Sequence, residues 1–203
     1  MTDKNLKITT PRGEALYPNL KRTEVYQGND TGKYSITLKP SKKDADALLQ
    51  RLERVWEEAK SKEYGDKTFK KGSEPFLGYR ETKEGDMTFK AKTSAEIKTK
   101  TGEVLQRTVA VFDAKGLPME EDVGHGSIVK LSVSAAPYYI SSNNYGLSLY
   151  LNAVQVLEYK APGSGGDAAS YGFDVEDGYS SADDTESDNF NPFDGGDSEG
   201  EEF

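Results

Sequence analysis

The 203-residue chain contains no cysteine, one histidine and one tryptophan. Without cysteine there is no disulfide, no thiolate nucleophile and no zinc site built on thiolates. With His125 alone, no histidine pair can ligate a metal, and its Gly124-His-Gly126 setting ahead of a strand-like run reads as a turn. There is no Walker-type phosphate loop. The first twenty residues lack a signal-like apolar run, and no later stretch approaches the ~18 apolar residues of a membrane-spanning helix. These absences predict a protein with no cofactor, no metal and no membrane partner, in a reducing, cytoplasmic setting.

The last absence is positional. From Pro162 to Phe203, forty-two residues hold thirteen acidic side chains and neither Lys nor Arg. The whole chain carries 26 basic and 35 acidic residues, a net of −9; without those thirteen acids, residues 1–161 hold 26 basic against 22 acidic, a net of +4. The overall acidity therefore hides a mildly basic body suited to a polyanion. At Ala161-Pro-Gly-Ser-Gly-Gly the composition breaks, and the Gly/Ser/Asp-rich stretch beyond has no hydrophobic period. Residues 162–203 read as a disordered acidic tail, and residues 1–161 as one domain large enough to bury a core.

Alternation dominates the body. In Lys33–Lys39, Tyr34, Ile36 and Leu38 oppose Lys33, Ser35, Thr37 and Lys39. Ala45, Leu48, Leu49, Leu52, Val55, Trp56 and Ala59 then recur at helical spacing, with Ser41 as N-cap and Gly65 past the end. This predicts a helix of about twenty residues laying one stripe on a sheet. Strands are predicted over Lys21–Gln27, Phe76–Arg80, Met87–Thr93, Ala95–Thr101, Val104–Asp113, Ile128–Ser134 and Tyr145–Tyr159. The last slips phase near Val154, as a bulge would require. Residues 1–16 read as loose. The result is a mainly β barrel or closed sheet with one prominent helix.

Sequence-independent binding of a single strand needs cations along the phosphates and exposed rings for the bases. Phe76, Tyr79 and Phe89 are interleaved with Arg80, Lys83, Lys90, Lys92, Lys98, Lys100 and Arg107. Parity separates Lys90 and Lys92 from Phe89, so Phe89 fits core and platform alike. A second cluster, Tyr138, Tyr139 and Tyr145, flanks the Ser141–Asn144 loop, where it fits a binding rim or a barrel cap. Trp56 belongs to the helix stripe. The carboxylates Asp113, Glu120, Glu121 and Asp122 are the set from which a magnesium nuclease would be built, and are read instead as a solvated loop. An enzyme is the least supported class.

Tyr17-Pro-Asn-Leu20, Gly32-Lys-Tyr-Ser-Ile-Thr-Leu38, the Asp46–Lys60 helix, Gly126-Ser-Ile-Val129 and Tyr145-Gly-Leu-Ser-Leu…Leu151-Asn-Ala-Val-Gln-Val-Leu157 occur in that order. This pattern, over about residues 17–159, resembles a family of tailed-phage and prophage proteins, long catalogued as a domain of unknown function, whose members include single-stranded DNA-binding proteins. The resemblance implies an OB-fold barrel working on phage DNA in replication or recombination, in the cytoplasm of an infected bacterial host. The ending, with Asp197, Glu199, Glu201, Glu202 and Phe203, resembles the acidic, aromatic-tipped tails of bacterial and phage single-strand binding proteins. Such a tail implies competition with DNA and docking of partner proteins. Bacterial versions commonly place proline before the final Phe; Glu202 stands there instead, which points to a phage-encoded polymerase, primase or helicase. Two rival readings remain: an acidic DNA mimic or adaptor that occupies a host DNA-binding protein, and a strand-annealing recombination mediator.

Overall fold

The computed structural model describes residues 6–99 and 101–163, all within the first of the chain's two units, Met1–Gly165. The acidic tail and Lys100 lie outside the described residues.

Two strands open the chain where a loose segment was expected, β1 (Leu6–Thr9) and β2 (Gly13–Asn19). Their inward positions are taken by Ile8 and Ala15, both buried. A four-residue strand and one that buries Gly13 and Ala15 offer little hydrophobic signal, which is why the alternation passed unseen. The expected strand over Lys21–Gln27 shrinks to β3 (Val25–Tyr26), paired with β4 (Asn29–Asp30) in a tight hairpin. Gln27 and Gly28 both take positive φ, 50° and 79°. That pair is the two-residue turn whose twist matches antiparallel strands.

β5 (Lys33–Pro40) follows, then α1 (Lys42–Glu63). The Ser41 hydroxyl accepts the Asp44 backbone N–H at 3.3 Å and donates to its carboxylate at 2.7 Å, satisfying one orphan donor of the first turn. Ala45, Leu48, Leu52, Trp56 and Ala59 are buried along one stripe, which packs against barrel strands as the spacing predicted. Beyond α1 come β6 (Tyr79–Glu81) and β7 (Met87–Ser94). β8 (Glu96–Lys98) and β9 (Val104–Gln106) form a ribbon of their own. The expected Val104–Asp113 strand is therefore broken, its second half being β10 (Ala110–Phe112). Two long strands end the described chain, β11 (Ile128–Ser141) and β12 (Asn144–Glu158).

Five strands close a ring. β2 pairs antiparallel with β5, β5 with β7, and β12 with β11, which returns to β2; β7 meets β12 in parallel. This is an OB-like barrel, to which β1, β6 and β10 add as edge strands on β11, β7 and β12. Ile36, Leu38, Phe89, Ala91, Leu131, Val133, Leu147 and Leu151 fill it. The predicted phase slip is present: Ser132 pairs with Ala153 but Val133 with Leu151, leaving Asn152 bulged. Leu151 and Val154 both stay buried as a result, three residues apart.

Candidate nucleic-acid interface

Parity on β7 decides what faces outward. Phe89, Ala91 and Thr93 are buried, whereas Lys90 and Lys92 are exposed. Cross-strand register extends the outer face: Thr37 on β5 opposes Lys90, and Arg80 on β6 opposes Thr88. These side chains floor an open groove of about 810 Å³. One wall is the β3–β4 hairpin in the β2–β5 connection, which supplies Glu24 and Tyr26. The other is the β11–β12 hairpin, which supplies Tyr138, Ile140 and Asn144. Lys33, Arg80, Lys90 and Lys92 all line the groove.

Phe76 enters the wall through a close backbone contact. Its N–H donates to the Tyr145 carbonyl at 3.0 Å, and its carbonyl accepts the Leu147 N–H at 2.7 Å. Gly146 lies between those partners, and a Cβ there would stand 2.0 Å from the Phe76 oxygen, so only glycine permits the bridge. Tyr26, Phe76 and Ile140 are 65%, 45% and 72% exposed. Tyr138 is half-buried, and that burial pushes its phenol pKa up.

Of the residues predicted from sequence, the structure brings Arg80, Lys90, Lys92 and Tyr138 together in this groove. Lys90 is not free, because its ammonium is bonded to the Glu24 carboxylate. Lys98 stands on the β8–β9 ribbon, outside the groove lining. Arg107 donates Nη1–H to the Thr93 hydroxyl at 2.7 Å, tying the end of that ribbon to β7.

Four predicted rings are corrected. Phe89 is 1% exposed and belongs to the core, with Tyr79 as its register partner on the same inward face, ring centroids 6.1 Å apart. A base cannot reach the Phe89 face without unpacking the barrel. Tyr139 and Tyr145 oppose each other on the inner side of the β11–β12 hairpin. Tyr145 stacks on Trp56 at 5.5 Å and donates to the Ser73 carbonyl at 2.7 Å; Tyr139 donates to the Thr68 carbonyl at 2.7 Å. Together with Tyr64 and Phe69 these rings staple the segment after α1 onto the hairpin. Tyr138, one residue out of phase, is the member of that cluster that faces the groove.

Sequence reasoning passed over Tyr26, Lys33, Glu24 and Ile140 as site residues. A usable signal existed for two of them, since an exposed Tyr beside Gln27-Gly28 and an Ile next to a Ser/Asn turn have no core to enter. Asp113 accepts the Lys115 and Leu117 N–H groups at 2.8 Å each and shapes a turn, and Asp122 accepts the adjacent Val123 N–H at 3.0 Å. His125 Nδ1 accepts the Tyr17 N–H at 3.3 Å. Among the described residues, no three His, Cys, Asp or Glu side chains are grouped to hold a metal.

The described residues thus form an OB-like barrel with a cationic, ring-walled groove. Among solved structures the chain is similar to gp2.5, a single-stranded DNA-binding protein encoded by bacteriophage T7, at 23% identity and TM-score 0.61, covering 87% of this chain and 98% of that one. It is also similar to the single-stranded DNA-binding protein from bacteriophage Enc34 in complex with ssDNA, at 15% identity and TM-score 0.54, covering 78% of this chain and 89% of that one. At these identities the likeness establishes the fold. No protein-family model matches the chain, and comparison with curated proteins finds no match.

Proposed function

We propose that this protein binds single-stranded DNA without regard to sequence, in the groove over β5 and β7, as part of phage replication or recombination in the cytoplasm of an infected bacterium. One observation carries the reading. Lys33, Arg80 and Lys92, which make no ion pair among the described residues, share a single groove with the exposed rings of Tyr26 and Phe76. Cations at intervals neutralise phosphates while flat rings stack on bases of any identity. The location supports it further. β5 and β7 are the second and third strands of the barrel, and the two walls are its first and last connecting hairpins, the face on which OB barrels take oligonucleotides. The two similar solved structures are themselves described as single-stranded DNA-binding proteins.

Base stacking would contribute about 1–3 kcal/mol per base. With about five phosphates engaged, log K should fall with log salt at a slope of roughly −3.5. The acidic tail is assigned a competing and docking role: its thirteen carboxylates would compete with DNA for the cations, and DNA would free them for partner proteins. Titrating labelled single-stranded, duplex and RNA probes with the full chain at several salt concentrations tests the main assignment. Failure to retain the single strand would sink it. Removing residues 162–203 should tighten binding, and unchanged or weaker binding would refute the competition.

A further inference from the structure

We propose that Glu24 is a resident anion of the groove, holding the Lys90 ammonium until a nucleic-acid phosphate displaces it, and so setting the affinity and the salt dependence of the site. The inference rests on the reading of the groove as a single-strand site and names a residue that restrains it.

Glu24 is the acidic side chain in the groove lining, and it sits on the wall opposite the floor strand that carries Lys90. Its backbone is fixed on both sides: its N–H donates to the Lys33 carbonyl at 2.7 Å, and its carbonyl accepts the Thr31 N–H at 2.9 Å. The carboxylate is thus held over the groove by the base of the β3–β4 hairpin. Its side chain is 21% exposed against 47% for Lys90, so the pair is screened less than a surface pair and leaves the ammonium partly open to a ligand. Lys92, two residues along the same face, makes no ion pair among the described residues and serves as an internal reference. A carboxylate beside a lysine has the charge and acceptor geometry of a phosphate oxygen.

The consequence is a matter of charge. A phosphate that takes Lys90 from Glu24 leaves an unpaired carboxylate beside the strand, so the local negative charge is unchanged and one fewer counterion is released on binding. Replacing Glu24 by the isosteric Gln removes both the competitor and the residual charge.

The test uses the full chain, a labelled oligothymidylate and fluorescence anisotropy across a salt series, on the wild type, Glu24→Gln, Lys90→Gln, the double variant and Lys92→Gln. Glu24→Gln is expected to bind about two- to fivefold tighter at low salt, the range of a partly exposed ion pair, with a salt slope steeper by ~0.7. Lys90→Gln should lose more affinity in the Glu24→Gln background than in the wild type, while Lys92→Gln loses the same in both. Should Glu24→Gln melt early, Glu24→Ala, which also removes the carboxylate, must shift affinity in the same direction. Unchanged or weaker binding by Glu24→Gln, or a gain that persists when Lys90 is already Gln, overturns the assignment to Glu24 alone. Absence of binding by wild type and Glu24→Gln alike overturns it together with the single-strand reading.

Discussion

Tyr150 of β12 is the register partner of Lys92 of β7 in the parallel pairing that closes the barrel, and both side chains stand exposed on its outer face. The aromatic–cation pattern of the groove therefore continues one strand beyond it. A track of this kind lets successive bases stack while the backbone follows the lysines. Tyr150→Ala should weaken binding to an oligonucleotide long enough to span the face by about 1–3 kcal/mol. Tyr150→Phe should retain most of it, because stacking uses the ring and not the hydroxyl. Anisotropy titration of both variants decides, and equal loss in the two would contradict a stacking role.

Core and platform rings should separate cleanly in a paired experiment. Phe89→Ala empties a buried position and is expected to cost roughly 3–5 kcal/mol of stability, read as a fall in thermal midpoint. Tyr26→Ala removes an exposed ring and should leave the midpoint nearly unchanged while weakening DNA binding. The reverse outcome would return Phe89 to the interface.

Gly146→Ala should be severe for a small substitution. The added methyl would stand 2.0 Å from the Phe76 carbonyl oxygen, at a backbone φ of 145° that residues with a Cβ rarely adopt. The expected result is loss of the bridge between Phe76 and β12, with a stability loss above the 0.5–3 kcal/mol of ordinary point substitutions (~1 typical) and displacement of the Phe76 ring from the groove. Chemical denaturation together with amide exchange at Leu147, whose N–H donates across the bridge, measures both.

The groove wall carries a local pH dependence. The Asp30 carboxyl is held below its ordinary value of 3.8, first by the Thr23 side chain and then by the Gly32 N–H at 2.8 Å. A depressed carboxyl stabilises the fold above its ordinary range, and that contribution is lost as pH falls through the lowered value. The Gly32 amide resonance should therefore titrate with a midpoint below the ordinary 3.8 of an aspartate. In Asp30→Asn that titration should vanish.

Long alternating segments were legible because their signals repeat. β5, β7, β11, β12 and α1 each present several apolar residues at a fixed period, and even the Asn152 bulge left its mark as a slipped phase. β1 and β2 were not legible: Ile8, Gly13 and Ala15 carry too little apolar bulk to stand out from a polar stretch. In the groove lining, the outward Lys90 and Lys92 were legible from parity and Arg80 from charge alone. The rings were recovered poorly, since Tyr138 and Tyr139 look alike in sequence and differ only in which side of the hairpin they occupy.

The mainly β class, the capped helix with Trp56 in its buried stripe, and the division of charge between a body of net +4 and an acidic end were all legible before any fold was known. Those properties follow from period, capping chemistry and counting, which are local or additive. Tertiary structure decided which rings line the groove and which pack, and that Lys90 meets Glu24. Both depend on barrel closure, which brings together residues 66 positions apart and assigns each strand an inside and an outside. No local period encodes a partner on another strand, so the groove exists only once the ring of strands is closed.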